Sequence, residues 1–234
     1  MFHAKKLVLL PFFFLCLFQN SEMEAQDWAN LTKYQEANMV FKLYGKQKGR
    51  VVFMGNSITE GWSVAHPEFF KGKPYVNRGI SSQTSPQMLL RFRQDVIELD
   101  PDIVVILAGT NDIAGNTGPM TLEQIRDNIL SMVELAKAND IKVILCSVLP
   151  AFDYSWRPGL QPNIKIPELN ELLKKLAKEE KVAYADYFSA MADERNGLPK
   201  DLAEDGVHPT KKGYMIMEGV IESEIKNALN TPSE

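Results

Sequence analysis

The sequence predicts an α/β protein, a three-layer sandwich with helices on both faces of a five-stranded parallel sheet. Three observations carry this. Five short runs rich in Val and Ile show little polar alternation, as strands do when both faces are covered. Amphipathic helical stretches fall between them. The chain of 234 residues, 45% hydrophobic and 24% charged, has material for one substantial core and no repeat, low-complexity segment or Gly/Ser linker to divide it.

The strand runs are RVVFMG (50–55), PYVNRG (74–79), DIVVILAG (102–109), IKVILCSV (141–148) and KVAYADY (181–187). The first predicted helix covers 28–45. A second covers 85–98, where Ser85 can cap and Pro86 suits the first helical position. The third, over 121–138, sets Leu122, Ile125, Ile129, Met132, Val133 and Ala136 on one face, with Thr121 and Gln124 spaced as a capping box. Stretches 166–180 and 210–229 complete the set, and the longest piece without a pattern is 149–165. The sheet is expected to be of the flavodoxin-like type.

The first residues differ from the rest. Lys5 and Lys6 precede an apolar run, Leu7 to Phe18, that is too short to span a bilayer, which needs about 20 residues. This predicts a secretory signal peptide over 1–25, cut after Ala25, and a single exported domain over 26–234, periplasmic or extracellular. A lipid anchor on Cys16 is disfavoured by the bulk of Leu15. Cleavage leaves Cys146 alone, so no internal disulfide forms, and its apolar setting reads as a small buried hydrophobe. The net charge of −4 gives no basic surplus for nucleic acid. No metal-ligand spacing and no phosphate-binding glycine loop occurs, so no metal or cofactor is expected.

Ligands of parallel α/β sheets bind beyond the carboxyl ends of the strands. There the chain places Gly55-Asn56-Ser57, Asn77-Arg78-Gly79, Gly109-Thr110-Asn111-Asp112 and, late in the sequence, Asp205 to His208. Taken alone, Ser57 is equally a turn residue or a helix cap. A serine nucleophile needs a base, and a base needs an orienting acceptor. His208 suits the first role, since His3 lies in the signal and His66 in an expected surface stretch; Asp205 suits the second. The backbone N–H groups of Ser57 and Gly79 and the amide of Asn111 are donors of the type an oxyanion needs. Thr110 and Asp112 read as support for their turn.

Four blocks now stand in order: GNSIT (55–59), NRGISS (77–82), GTND (109–112) and DGVHP (205–209). Together they resemble the SGNH hydrolases, also called the GDSL-like lipase/acylhydrolase family. The resemblance implies a serine esterase with Ser57 as nucleophile, His208 as base, Asp205 orienting it, and Gly79 and Asn111 completing an oxyanion hole with Ser57. One residue departs from the family pattern: Asn56 stands where Asp is usual. The α/β-hydrolase elbow is not matched, because Thr59 occupies its second glycine position.

Trp62, Phe152, Tyr154 and Trp156 are candidate substrate residues, since aromatics beside an acyl-transfer site stack on sugars or line an acyl pocket; packing of the loop is the alternative. The expected substrate is a small-molecule or glycan ester, and the expected activity a carbohydrate O-acetylesterase. A lysophospholipase or thioesterase for longer chains, and an inert glycan-binding relative, are the other readings. No stable membrane insertion is expected after signal cleavage, and the sequence leaves oligomeric state open.

Overall fold

The computed structural model describes residues 27–231. The expected signal peptide, with His3 and Cys16, lies outside the described residues. Every predicted strand is present: β1 (Val51–Gly55), β2 (Tyr75–Gly79), β3 (Ile103–Leu107), β4 (Lys142–Cys146) and β5 (Ala183–Ala185). They form one all-parallel sheet in the order β2-β1-β3-β4-β5. The last strand is shorter than the run 181–187 that predicted it. Lys181 adopts a left-handed conformation at φ 55° to end the preceding helix, and Asp186 caps the following one.

The helices are α1 (Gln35–Tyr44), α2 (Ser57–Ala65), α3 (Ser85–Asp95), α4 (Thr110–Ile113), α5 (Leu122–Lys137), α6 (Pro162–Glu180), α7 (Tyr187–Met191) and α8 (Lys211–Asn230). Strand residues alternate between two cores. Val52, Met54, Val104 and Ile106 pack with Met88 and Phe92 of α3, Ile125 and Ile129 of α5, and Leu169 and Leu173 of α6. Val51, Phe53, Val105 and Leu107 pack with Trp62 of α2 and with Tyr214, Met217 and Ile221 of α8. Among the described residues no helix is long and apolar enough to cross a membrane.

Three expectations are corrected. The first helix begins at Gln35; before it the Asp27 carboxylate accepts the N–H groups of Leu31 and Thr32 and folds residues 27–34 into turns. Thr84, not Ser85, caps α3, forming a capping box with Gln87. Finally, α6 starts at Pro162 in the first turn, where proline's missing N–H is no loss, so the loop before it is shorter than 149–165. The box of Thr121 and Gln124 on α5 forms as predicted, with bonds of 2.9 and 3.2 Å.

The chain passes from β1 outward to β2 and then returns to the other side of β1 as β3. Connections diverge at that point and open a crevice at the carboxyl ends of β1 and β3. Ser57 follows β1 there, and Asn111 follows β3.

Candidate active site

Ser57 is the first residue of α2. Asn56 caps the helix, its side-chain oxygen accepting the Ile58 N–H at 3.0 Å. That role needs an acceptor and no charge, so the amide serves where the family pattern has a carboxylate. Gly55 has to be glycine, since a Cβ would lie 2.0 Å from the Thr59 hydroxyl. The serine therefore leaves a fully buried strand and enters a helix within two residues, with its hydroxyl at the crevice.

His208 comes from the loop between α7 and α8. Its Nε2 lies 2.9 Å from Ser57 Oγ, and its Nδ1 lies 2.6 Å from Asp205 Oδ2. The other oxygen of Asp205 accepts the backbone N–H groups of His208 at 2.8 Å and Val207 at 2.9 Å. Burial opposes ionisation of Asp205; the bonds from the His208 backbone, its ring and the Val207 N–H override it and hold the carboxyl below its ordinary value. One short turn thus fixes both the carboxylate and the ring, with Nδ1–H donating to Asp205 and Nε2 left to accept from the serine. Such an arrangement can take a proton from Ser57 and return it.

A cleft of about 750 Å³ opens on this pair, within the roughly 300–1,000 Å³ of small-molecule sites. Asn111 lines it. One amide N–H of Asn111 goes to the Gln83 carbonyl at 3.0 Å, which leaves the second. Asp112 reaches backward, accepting the N–H and hydroxyl of Ser85 at 2.8 and 2.6 Å and tying this turn to α3. The Tyr154 phenol bonds the hydroxyl and the carbonyl of Thr110.

The structure does not bring Gly79 to the cleft. Its N–H is taken by Asn77 Oδ1 at 2.9 Å, and it is glycine because a Cβ would sit 2.1 Å from the Glu60 backbone nitrogen, where α2 crosses β2. Ser82, three residues on, lines the cleft instead. Its φ of 65° turns the backbone into the left-handed region, and among the described residues no acceptor takes its N–H.

Of the four candidate aromatics only Trp156 lines the cleft, its ring 6.4 Å from that of His208. Trp62 is buried in the α2–α8 core, stacked between Phe69 and Tyr214, with its indole N–H on Glu218 at 3.0 Å. Tyr154 is buried beneath Trp156, the two rings stacked at 5.0 Å. Phe152 is half-exposed outside the cleft, under the Arg195 guanidinium. His66, expected on the surface, is largely covered and bonds Glu218 at 2.7 Å. Cys146 is buried, which pushes its thiol up to about 12. Among the described residues no cluster of His, Cys, Asp and Glu is placed to hold a metal ion.

The cleft also takes in residues that sequence reasoning missed, among them Trp28, Gln87, Asn116 and Thr117. Trp28 lies 29 residues before the serine, inside a stretch whose pattern suggested a helix, and no motif marks it.

Residues 53–216 match the model of the GDSL-like Lipase/Acylhydrolase family. The chain belongs to this family. A crystal structure of a GDSL-like lipase from Bacteroides thetaiotaomicron is similar to it, with a TM-score of 0.82 and 49% identity over 86% of this chain and 98% of that one. An acetylxylan esterase of Xylanibacter ruminicola is 26% identical over 76% of this chain. This chain spans only 43% of that relative's length. A second acetylxylan esterase, from Geobacillus stearothermophilus, is 27% identical over 68% of this chain and 74% of its own. Members of the GDSL-like family share the α/β fold described above.

Proposed function

We propose that the protein is a serine-dependent carboxylic ester hydrolase and, within that class, a carbohydrate O-acetylesterase. One observation carries the first part: the unbroken chain from Ser57 through His208 to Asp205, with contacts of 2.9 and 2.6 Å. Ser57 Oγ attacks the ester carbonyl as His208 Nε2 takes its proton, and Asp205 stabilises the imidazolium. The carbonyl oxygen becomes an oxyanion that accepts from the Ser57 N–H, the free Asn111 amide N–H and, in place of Gly79, the Ser82 N–H. The ester C–O bond then breaks, and the leaving alcohol receives the proton from His208. Water attacks the acyl-serine, gives its proton to His208, and releases the acid with Ser57 restored. No cofactor enters these steps.

Two acetylxylan esterases among the relatives support the acetyl specificity. So does the cleft, where hydroxyl and amide side chains outnumber apolar ones. We further propose that residues 1–25 direct export, as Lys5, Lys6 and the Leu7–Phe18 run suggest. Secreted protein beginning at Gln26 is the expected product, checked by N-terminal sequencing.

The test of activity is hydrolysis of nitrophenyl esters from acetate to laurate by residues 26–234, with acetate release from acetylated sugars as the second assay. Short esters are cleaved best, and Ser57→Ala removes at least about 10⁴-fold of kcat. Strong cleavage of laurate with no acetate from any sugar would replace the acetylesterase reading by one of longer acyl chains.

A further inference from the structure

The segment 27–34 is held against α3 and the loop before it by three glutamine side chains. Gln83 donates to the Ala29 carbonyl at 2.7 Å, Gln87 to the Trp28 carbonyl at 2.7 Å and Gln94 to the Leu31 carbonyl at 2.6 Å. Asp27 closes the same segment from within, accepting from the Leu31 and Thr32 N–H groups at 2.7 and 3.0 Å. Ala29 is buried at its centre. The backbone of this strap is therefore fixed at nearly every residue, yet Trp28 is left 44% exposed and lines the cleft that holds Ser57.

Trp156 repeats the pattern from the His208 side. It is 45% exposed, and its ring is backed by the buried Tyr154, which is itself bonded to Thr110. Two large, rigidly based indoles thus face one cleft from two separate segments. The remaining liners include Ser81, Gln87, Asn116 and Thr117, which are uncharged donors and acceptors. Arg157 is the one guanidinium among the liners, and its Nη1 donates to the Ala114 and Gly115 carbonyls at 2.6 and 2.7 Å.

We infer that Trp28 and Trp156 are the stacking platforms of a glycan-chain site, so that the ester is carried by an oligosaccharide held on two sugar rings. The identity of the bond cleaved rests on the esterase reading of Ser57; the platforms rest on the strap and the cleft. Sugar rings offer C–H faces to indoles and hydroxyls at their edges, and this lining supplies both flat apolar faces and edge partners. An acyl tail would need a continuous apolar wall, and the lining has only Val207 besides the two indoles.

The test uses Ser57→Ala protein titrated with a panel of acetylated and unacetylated β-linked tetrasaccharides, read by tryptophan fluorescence. Saturable quenching is expected, with Kd raised about tenfold by Trp28→Ala or Trp156→Ala and largely restored by Trp28→Phe. Trp28→Ala leaves the strap's backbone bonds in place, because the glutamines bind carbonyls. In Ser57-intact protein, kcat/KM for an acetylated tetrasaccharide is expected to exceed that for an acetylated monosaccharide, and this ratio to fall about tenfold in Trp28→Ala. Equal use of the two substrates, or a ratio unmoved by Trp28→Ala, overturns the inference while Ser57-dependent hydrolysis keeps the esterase reading. Quenching that depends on Trp28, with no ester cleaved by the intact protein, upholds the glycan site and overturns the esterase reading.

Discussion

Trp62 and Trp156 make the residue-scale contrast sharpest, because sequence position favours the wrong one. Trp62 is five residues from Ser57 but is locked in the core, whereas Trp156 is far along the chain and lines the cleft. Trp62→Ala is expected to cost about 3–5 kcal/mol in urea unfolding. Trp156→Ala, with its ring half in solvent, is expected to lose much less stability and to raise KM for glycan esters. The donors divide in a similar way. Asn111→Ala should lower kcat by about 10²–10³-fold with little change in KM. Replacing the Ser82 N–H by an ester oxygen should do the same, while that change at Gly79 removes only a bond to Asn77. Equal losses at both positions would return Gly79 to the oxyanion hole. Gly79 looked suitable because it ends the second strand run with a backbone N–H donor and belongs to NRGISS, one of the four blocks that carry the family resemblance. Here the glycine answers a steric need in a strand, and the left-handed turn falls on Ser82.

At the scale of elements, α3 carries a buried polar network that supports the cleft. Arg91 is fully buried and donates to Gln83 Oε1, to Asp95 Oδ2 at 3.0 Å and to the Gly55 carbonyl at 3.0 Å, just before the serine. Gln83 in turn presents its carbonyl to Asn111. Arg91→Met is expected to cost about 3–5 kcal/mol, because Asp95 keeps its buried charge and loses its counter-ion. Arg91→Met with Asp95→Leu should recover much of that loss in urea unfolding, yet kcat should stay low, since Gln83 has still lost its anchor. Most elements were legible in the sequence. Strands covered on both faces become unbroken apolar runs, and a capping box announced α5. What escaped were short elements whose pattern is set by contact. In α2, Ile58, Thr59 and Trp62 form one buried face, but nine residues with a glycine at Gly61 carry little periodic signal. Composition likewise could not tell which loop aromatics point inward, because Tyr154 and Trp156 differ only in what lies beneath them. The four blocks were legible in order, whereas the strap was not, since its glutamine contacts join segments more than fifty residues apart.

For the whole molecule, Asp112 links stability to pH. Burial raises its carboxyl above the ordinary value, and the two bonds from Ser85 only partly offset this; its second oxygen has no hydrogen-bond partner among the described residues. The folded state therefore binds the proton more tightly than the unfolded chain. Stability contributed by this group is full below the unfolded value of about 3.9 and is lost as pH rises through the folded one. Asp112→Asn should flatten that part of the profile, seen as a smaller fall in the urea midpoint between acid and neutral pH than in the parent protein. The same scale gives the joining of β1's end to the loop before α8 a temporal meaning. Ser57 and His208 are 151 residues apart, and Tyr214 of α8 donates to the Ile58 carbonyl at 2.8 Å across 156 residues. A ribosome that has made the whole sheet has made the serine and both of its amide partners, but neither the imidazole nor its carboxylate. In the proposed mechanism a nascent chain is therefore chemically silent until Asp205 and His208 have emerged and α8 has docked. The first turnover therefore reports that the end of β1 and the loop before α8 have met.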